Sequence, residues 1–268
     1  MKIPVFRKQK MTKLRMEKRM KCIILCAGYA TRLRKYINSK PKALITIQDK
    51  PILNYLIEKI EKIHEVTEII IVSNKKYYNQ FLDWQKNIKT NKSIKIIHDN
   101  TSREEEKLGA IGDIQYVINH ENIEDDMIVM ASDNFFDFDL NEMMTLFHQK
   151  QGAIVCTKKI NDIELLKRLA VARLDRDGKV IDLIEKPQKP KENRGVYTTY
   201  IFKKEVIQLL KQYITENNNP DAPGYFIQWL YKRYPVYSYN IKGECYDIGD
   251  YETLREVRKK YEEKHNNQ

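Results

Sequence analysis

The chain has 268 residues, of which 42% are apolar, so it can bury a substantial core in one large domain or two small ones. No run approaches the roughly 18 apolar residues of a membrane helix, and four scattered cysteines do not make a disulfide framework. The formal net charge is +11, but residues 1–19 hold eight lysines and arginines against one acidic residue, which leaves +4 for the remainder. That remainder has no basic stripe interleaved with aromatic side chains, so neither a nucleic acid nor a membrane is expected as its partner.

Residues 1–19 are predicted to be a basic extension outside the core, and residues 20–268 to be a single domain. A solvated tail is the simplest interpretation of the extension, with a tether to RNA or to a membrane as the alternative. Cys22 and Cys26 have no matching Cys or His pair at zinc-ligand spacing, so we expect them to be small core residues. The low cysteine content predicts a reducing, cytoplasmic environment, and the oligomeric state stays open, with a homo-oligomer among the alternatives.

The body of the chain alternates short β-branched runs with helical stretches, which predicts an α/β fold with a Rossmann-like, mixed but mainly parallel sheet flanked by helices. Strands are predicted at residues 21–26, 68–73, 94–98 and 127–132 of the first half. Helices are predicted at residues 51–63, 77–89 and 109–119, the first of which has an apolar stripe on one face.

After residue 150 the strands are closer together, and a hairpin turn at residues 175–178 predicts antiparallel pairing. No linker separates this part from the first, so we expect it to complete the same sheet. Strands are predicted at residues 153–158, 171–174, 180–184 and 197–202, and helices at 203–214, 224–233 and 250–264.

A glycine-containing loop follows the first predicted strand, with Ala27 and Gly28 at its start and Arg32 shortly after. Small residues let backbone N–H groups close around phosphate oxygens, and an arginine can neutralise a triphosphate through a forked contact. The loop is neither a Walker A sequence nor a dinucleotide fingerprint. It predicts a phosphate-binding turn, with an ordinary tight turn as the alternative.

Two later segments make this pattern specific: Pro41-Lys42, and Lys50-Pro51 at the start of the next helix. Together with residues 23–33, they closely resemble the opening of the sugar-phosphate nucleotidyltransferases, the glucose-1-phosphate thymidylyltransferase-like NTP transferases. That family has a Gly-Thr-Arg-Leu loop, a Pro-Lys pair and a Lys-Pro helix start in this order. The resemblance implies the nucleotide-diphospho-sugar transferase fold.

The resemblance also implies roles for individual residues. Ala27, Gly28 and Arg32 would contact the nucleotide, and Lys42 would lie between the phosphate of the attacking substrate and the α-phosphate. Gly109, within a Leu-Gly-Ala turn, would lie against the nucleotide base, although by itself this turn could equally be a helix cap.

Asp133 follows an apolar strand, at the edge of the sheet where ligands of open α/β proteins bind. Magnesium prefers hard oxygen ligands and usually keeps phosphate and water among them, so Asp133 is a candidate metal ligand. An aspartate at a strand end can also be the N-cap of a following helix.

Two more motifs match the family later in the chain. Glu185 and Lys186, in a Glu-Lys-Pro sequence, would bind the hydroxyls and the phosphate of the acceptor. Asp247, in an Asp-Ile-Gly sequence, would supply the second metal carboxylate beside Asp133. The resemblance therefore implies a Mg²⁺ cofactor and covers nearly the whole body of the chain.

Three features depart from the family pattern. Ala30 replaces a loop glycine, and Cys245 stands where an aromatic residue is frequent. Tyr197 and Thr198 stand where sugar-specific members have Thr-Gly, so these two residues are expected to reshape the acceptor pocket. The Pro- and Gly-containing segment 217–226 could contribute to that pocket or be a plain helix-entry loop.

The function implied is transfer of a nucleoside monophosphate from a nucleoside triphosphate to a sugar 1-phosphate, with Arg32, Lys42 and Asp133 as catalytic residues. A small non-sugar phosphate is the alternative acceptor, as for a cytidylyltransferase. A catalytically silent regulatory subunit that binds nucleotide sugars is another alternative. A metal-dependent glycosyltransferase is the fourth, because Asp137 and Asp139 form an Asp-x-Asp sequence, although Asp139 also has the position of a helix N-cap.

Overall fold

A computed structural model describes residues 19–37 and 39–266. Nearly all of the predicted basic extension, residues 1–18, lies outside the described residues. The strands are β1 (Met20–Cys26), β2 (Thr46–Ile47), β3 (Lys50–Pro51), β4 (Val66–Ser73), β5 (Ser93–His98), β6 (Asp126–Ala131), β7 (Asn134–Phe136), β8 (Ala153–Lys159), β9 (Ala170–Leu174), β10 (Val180–Glu185), β11 (Arg194–Phe202), β12 (Val236–Asn240) and β13 (Cys245–Asp247).

The α-helices lie between the strands along the chain. They are α1 (Ile52–Glu61), α2 (Tyr78–Gln85), α3 (Gly109–Glu121), α4 (Leu140–Gln149), α5 (Ile163–Leu166), α6 (Val206–Thr215), α7 (Pro223–Leu230) and α8 (Tyr251–Asn266).

A nine-stranded sheet contains strands from both halves of the chain, in the order β10-β9-β11-β6-β1-β4-β5, with β8 pairing with β11 and β12 pairing with β8. Strand β1 is parallel to both β4 and β6, and β4 is parallel to β5. Strand β11 is antiparallel to β6, β8 and β9. The predicted α/β class with a mixed, mainly parallel sheet is confirmed for the first half, and the antiparallel pairing of the second half is confirmed as well.

The core lies in two layers, one on each face of the sheet, because successive side chains of a strand point to opposite faces. Cys22 and Ile24 of β1 pack in one layer, whereas Ile23 between them packs in the other. The first layer contains apolar residues of α1, α2 and α4, and the second contains those of α3, α6 and α7. All four cysteines are free and buried, as expected for Cys22 and Cys26.

Several short elements were not predicted. Strands β7 and β13 form a separate antiparallel pair, in which Asp247 lies opposite Asn134. Strands β2 and β3 form another, and β12 is an additional parallel partner of β8. The predicted hairpin is correct: β9 and β10 pair antiparallel, and Gly178 has a positive φ of 78° in the turn between them.

Candidate active site

The phosphate loop and Asp133 emerge side by side from two adjacent parallel strands. Leu25 of β1 pairs with Ala131 of β6, and the Ser132 N–H donates to the Leu25 carbonyl at 3.2 Å. Because the two strands run in the same direction, the chain leaves both at the carboxyl edge of the sheet. Ala27, Gly28 and Asp133 therefore line one cleft.

The two predicted metal carboxylates converge, although more than a hundred residues separate them in the sequence. The pairing of β7 with β13 aligns Asn134 with Asp247, and the Ile248 N–H donates to the Asp133 carbonyl at 2.9 Å. Asp247 and Asp133 both line the cleft. Burial, followed by repulsion from Asp133, raises the pKa of Asp247 to about 6, while Lys42 and Arg32 act in the opposite direction.

Lys42 makes an ion pair with one member of this carboxylate pair, Asp133. Its Nζ lies 2.7 Å from Asp133 Oδ2, and the two side chains are only 19% and 26% exposed. Burial by itself lowers the pKa of Lys42, but attraction to Asp133 and Asp247 outweighs burial and raises it. Lys42 therefore keeps its charge beside the two carboxylates, although it does not itself line the cleft.

Arg32 reaches the same place from the phosphate loop. A Cβ placed on Gly249 would lie 3.2 Å from Arg32 Nη2, so the guanidinium lies over this glycine, two residues after Asp247. The loop bends at Ala30, which has a positive φ of 52°. This conformation favours glycine, which explains why the family has a glycine where this chain has alanine.

The cleft has a volume of about 1240 Å³ and extends beyond this charged centre. Its lining includes Glu185, Lys186, Tyr197 and Thr198, which were predicted to bind or shape the acceptor site and are here called the acceptor end. It also includes Gly109, which was predicted to lie against the base and marks what is here called the nucleotide end. The structure thus brings all the residues to which the family resemblance gave a role to one cleft or, for Lys42, close to it.

Glu185 is the most buried charged group at the acceptor end. Its side chain is 5% exposed, and the Lys186 Nζ is 3.9 Å from its Oε1. Burial raises the pKa of Glu185 to about 7, although Lys186 opposes this effect. The two adjacent side chains can both face the cleft because Lys186 has a positive φ of 48°.

Tyr197 and Thr198 occupy a break in the register of β11. Tyr197 pairs with Cys156 and Tyr200 with Val155, so residues 198 and 199 have no partners in β8. Tyr197 is 3% exposed and packs in the core, while Thr198 is partly exposed at the irregularity. Since both line the cleft, the structure is consistent with the expectation that they shape the acceptor pocket.

Gly109 has a second constraint that the sequence did not reveal. It has a positive φ of 78°, and a Cβ there would lie 2.5 Å from the Pro220 carbonyl oxygen. The glycine is therefore required by close packing against the segment at residue 220, whatever it contacts in a ligand.

Sequence reasoning missed a polar cluster at the carboxyl ends of β4 and β5. Buried Asn74 donates from Nδ2 to the Ala27 carbonyl at 2.8 Å and so holds the phosphate loop. Thr101 bridges Asp99, whose Oδ1 accepts its hydroxyl at 2.8 Å, and the hydroxyl of Tyr29, also at 2.8 Å. The rule that identified Asp133, a polar residue where a parallel strand ends, would have found Asn74 and Asp99.

The Asp-x-Asp sequence has a structural role instead of a metal-binding one. Asp139 caps α4 by accepting the Asn141 N–H at 2.9 Å, and Asp137 accepts the Glu244 N–H at 2.7 Å. Neither lines the cleft. This placement removes the motif on which the glycosyltransferase alternative depended.

Within residues 19–37 and 39–266 there is no group of three or more His, Cys, Asp or Glu side chains arranged to hold a metal ion. None of the helices in these ranges is long and apolar enough to cross a bilayer.

The fold and the site define a class: an open α/β sheet whose carboxyl edge carries a glycine-containing loop, basic side chains and a pair of carboxylates. The chain belongs to the nucleotidyl transferase family, whose model matches residues 21–264. The resemblance found in the sequence is thereby confirmed.

Individual relatives agree with this assignment. The chain is 30% identical over 232 residues to the bifunctional protein GlmU of Methanocaldococcus jannaschii, with 86% of this chain and 51% of that protein covered. It is also 30% identical over 257 residues to mannose-1-phosphate guanyltransferase beta-A of Xenopus laevis, with 91% and 67% covered. The chain thus spans about half the length of the archaeal relatives it matches.

A solved structure of UDP-glucose pyrophosphorylase complexed with UDP-glucose superimposes with a TM-score of 0.78, covering 92% of this chain and 99% of that one. The sequence identity is 21%, so this likeness supports the fold alone.

Proposed function

We propose that this chain transfers a nucleoside monophosphate from a nucleoside triphosphate to a sugar 1-phosphate and releases pyrophosphate. The observation that carries the proposal is the convergence of Arg32, Lys42, Asp133 and Asp247 between the two ends of one cleft. Relatives named for guanylyl and uridylyl transfer to hexose 1-phosphates support the same chemistry.

The reaction is an in-line displacement at the α-phosphorus, in which the protein positions two anions and offsets their charge. Arg32 binds the triphosphate and stabilises the pyrophosphate that departs. Lys42, held at Asp133, faces the α-phosphate and the attacking phosphate oxygen. Lys186 binds the acceptor phosphate, and Glu185 accepts hydrogen bonds from acceptor hydroxyls.

A magnesium ion fits the residues at the centre of the cleft. Asp133 and Asp247 provide hard oxygen ligands, and phosphate oxygens and water would complete the shell, which is the usual arrangement for this ion. The buried Asn134 Nδ2, beside them, has no hydrogen-bond partner within the described chain, so it can donate to a ligand oxygen. A magnesium ion held by these two carboxylates would offset the negative charge of the substrate phosphates.

The acceptor is less tightly defined than the reaction. Thr198 lines the cleft at the irregularity of β11. Sugar-specific members of the family have a glycine at this position. A side chain there narrows the space for a pyranose ring, which favours testing a phosphorylated polyol or amino alcohol as the second acceptor class. We also place the protein in the cytoplasm, since its four cysteines are free and buried.

The test is a matrix of five nucleoside triphosphates against sugar 1-phosphates and small non-sugar phosphates, with pyrophosphate release as the signal. We expect one pair of a nucleotide and a sugar 1-phosphate to give pyrophosphate release in the presence of magnesium. This release should stop when EDTA is added. Activity with non-sugar phosphates alone would show that the acceptor is not a sugar 1-phosphate, while the proposed nucleotidyl transfer would still hold. Binding of nucleotide sugar without pyrophosphate release from any pair would instead indicate the silent regulatory subunit.

A further inference from the structure

Residues 219–224, here called the bridging segment, form one wall of the cleft between its two ends. Four of these residues line the cleft, namely Asp221, Ala222, Pro223 and Gly224. The segment leads into α7, which packs in the core layer that also contains α3. It therefore contacts both substrate ends of the proposed site.

At the nucleotide end, the bridging segment caps α3. The Ala110 N–H donates to the Asp221 carbonyl at 3.0 Å, and the Ile111 N–H donates to the Pro220 carbonyl at 2.9 Å. These are N–H groups of the first turn, which have no partner inside a helix. The Lys107 Nζ lies 2.8 Å from Asp221 Oδ1, so the turn before α3 is attached at a third point.

At the acceptor end, the same segment packs against Glu185. A Cβ on Gly224 would overlap Glu185 Oε2 and would lie 2.8 Å from the Cβ of Ala170 in β9. The Glu185 N–H donates to Gln228 Oε1 of α7 at 2.8 Å. The position of the Glu185 carboxylate thus depends on where α7 begins.

Between these ends the bridging segment is constrained. Pro220 and Pro223 fix two φ angles. The Asp221 N–H donates to Asn219 Oδ1 at 2.9 Å, and the Asn219 carbonyl accepts the Tyr213 hydroxyl. A segment held in this way moves as a unit, so a displacement at Gly224 reaches the carbonyls of Pro220 and Asp221.

We propose that the bridging segment couples the two substrate sites, setting the position of Glu185 and of the turn at Gly109 together. This inference rests on the proposed function for the identity of the two sites. It makes Gly224 a positioning residue for the nucleotide, although it lies at the opposite end of the segment from the nucleotide turn.

The test is the Gly224→Ala variant, with nucleotide affinity measured by titration calorimetry. Glu185 can rotate away from the new methyl group, but the short side chain of Ala170 cannot, so the segment must shift. We expect the dissociation constant of the best-binding of the five nucleoside triphosphates to rise about fivefold or more, within the usual range of coupling between sites. A value within about twofold of the wild type would overturn the proposal.

Two controls separate coupling from other effects. Gly152→Ala places a Cβ 2.5 Å from the Pro235 carbonyl oxygen, a backbone conflict outside the cleft, and should leave nucleotide affinity unchanged. Glu185→Gln changes the acceptor end without moving the segment and should raise only the KM of the acceptor. An equal loss of nucleotide affinity in Gly152→Ala would show that the effect is general destabilisation and would overturn the proposal.

A second variant, with Pro220→Gly and Pro223→Gly combined, loosens the bridging segment without a steric conflict and decides the question if Gly224→Ala does not fold. It should weaken nucleotide binding and raise the acceptor KM together; unchanged nucleotide affinity would overturn the coupling. Calorimetry does not require turnover, so a nucleotide that binds but releases no pyrophosphate with any of the acceptors would overturn the proposed function while still testing the coupling. If no nucleoside triphosphate binds, both proposals fail.

Discussion

The position and the charge of Lys42 depend on two distant parts of the chain. Its own segment, a 3₁₀ turn at Lys42–Leu44, is held by the buried Ala43. Its charge is stabilised by Asp133 and Asp247, which come from much later in the chain. The resulting pair is only partly exposed, so it is screened less than a surface ion pair.

The first prediction concerns this ion pair. Lys42→Met should lower kcat/KM by about 10²- to 10³-fold, the range for removing one group that stabilises transition-state charge. Circular dichroism should show an unchanged fold. Steady-state pyrophosphate release is the measurement, and the exposed Lys40→Met is the matched control. Near-normal turnover of Lys42→Met would remove this lysine from the mechanism.

A second pair of carboxyl groups lies near the nucleotide end and has no assigned role. Asp99 is 3% exposed and Asp113 is 7% exposed, and both line the cleft. Burial, and then the charge of Asp99, raises the pKa of Asp113 to about 8. Burial raises the pKa of Asp99 as well, although hydrogen bonds from Thr101 oppose this.

This pair predicts a pH-dependent stability. Between the ordinary aspartate pKa near 3.9 and the folded value of about 8, the folded state keeps a proton on Asp113 that the unfolded state has released. The free energy of unfolding therefore falls as the pH rises through this window. Asp113→Asn cannot ionise, so it should match the wild type near pH 4 and be more stable at pH 9 by on the order of 2 kcal/mol.

Urea unfolding at pH 4, 7 and 9 measures this difference. Asp177→Asn, which changes an exposed aspartate in the hairpin turn, should leave the wild-type profile as it is. If Asp113→Asn and the wild type lose stability in parallel as the pH rises, Asp113 does not hold the proton.

At the scale of elements, helix α8 supports the phosphate loop. Leu254 and Val257 of α8 pack with Ala30, Leu33 and the adjacent Ile248 in a third apolar cluster. Tyr251 at the start of α8 also stacks on Tyr36, with ring centroids 4.1 Å apart. The last helix of the chain is thus part of the environment of Arg32.

Leu254→Ala should therefore affect both stability and binding. Leu254 is 1% exposed, so its truncation should lower the free energy of unfolding by about 2–4 kcal/mol. The dissociation constant of the nucleotide should rise as well, because the loop loses its support. Leu210→Ala, at a residue with no exposure in the opposite core layer, should cost similar stability without weakening the nucleotide. Urea unfolding measures the loss of stability in each variant, and calorimetry measures nucleotide affinity. If Leu254→Ala and Leu210→Ala weakened nucleotide binding equally, this role of α8 would be contradicted.

The longer elements were predictable because their residues carry the pattern themselves. The strand at residues 21–26 was predicted from an apolar run and lies at Met20–Cys26. The helix predicted at residues 51–63 lies at Ile52–Glu61 and buries the expected face. Strands β7 and β13 were missed because each has three residues, too few for any periodicity, and each pairs with a partner far away in the sequence.

At the scale of the whole molecule, the cleft follows from the order of strands. β1 lies between β4 and β6, and the later strands add to the sheet on the β6 side, so the carboxyl edge of β1 is near the middle of the molecule. Ligands of open α/β sheets bind at such a position. Glu185 and Tyr197, at the proposed acceptor end, lie in β10 and β11, whereas Asp99, on the nucleotide side of the proposal, follows β5.

The sequence by itself determined the α/β class and the family, and it singled out those residues of the cleft that lie in recognisable motifs, because apolar periodicity and short motifs are local properties. The family resemblance implied that Asp247 lies beside Asp133, but only the tertiary structure decided that the pairing of β7 with β13 brings them together, that Lys42 pairs with Asp133, and that Gly109 packs on residues 220 and 221. These are contacts between segments far apart in the chain. Their geometry depends on strand pairing and on which backbone segments approach closely. Neither can be predicted from the residues of only one of the two contacting segments.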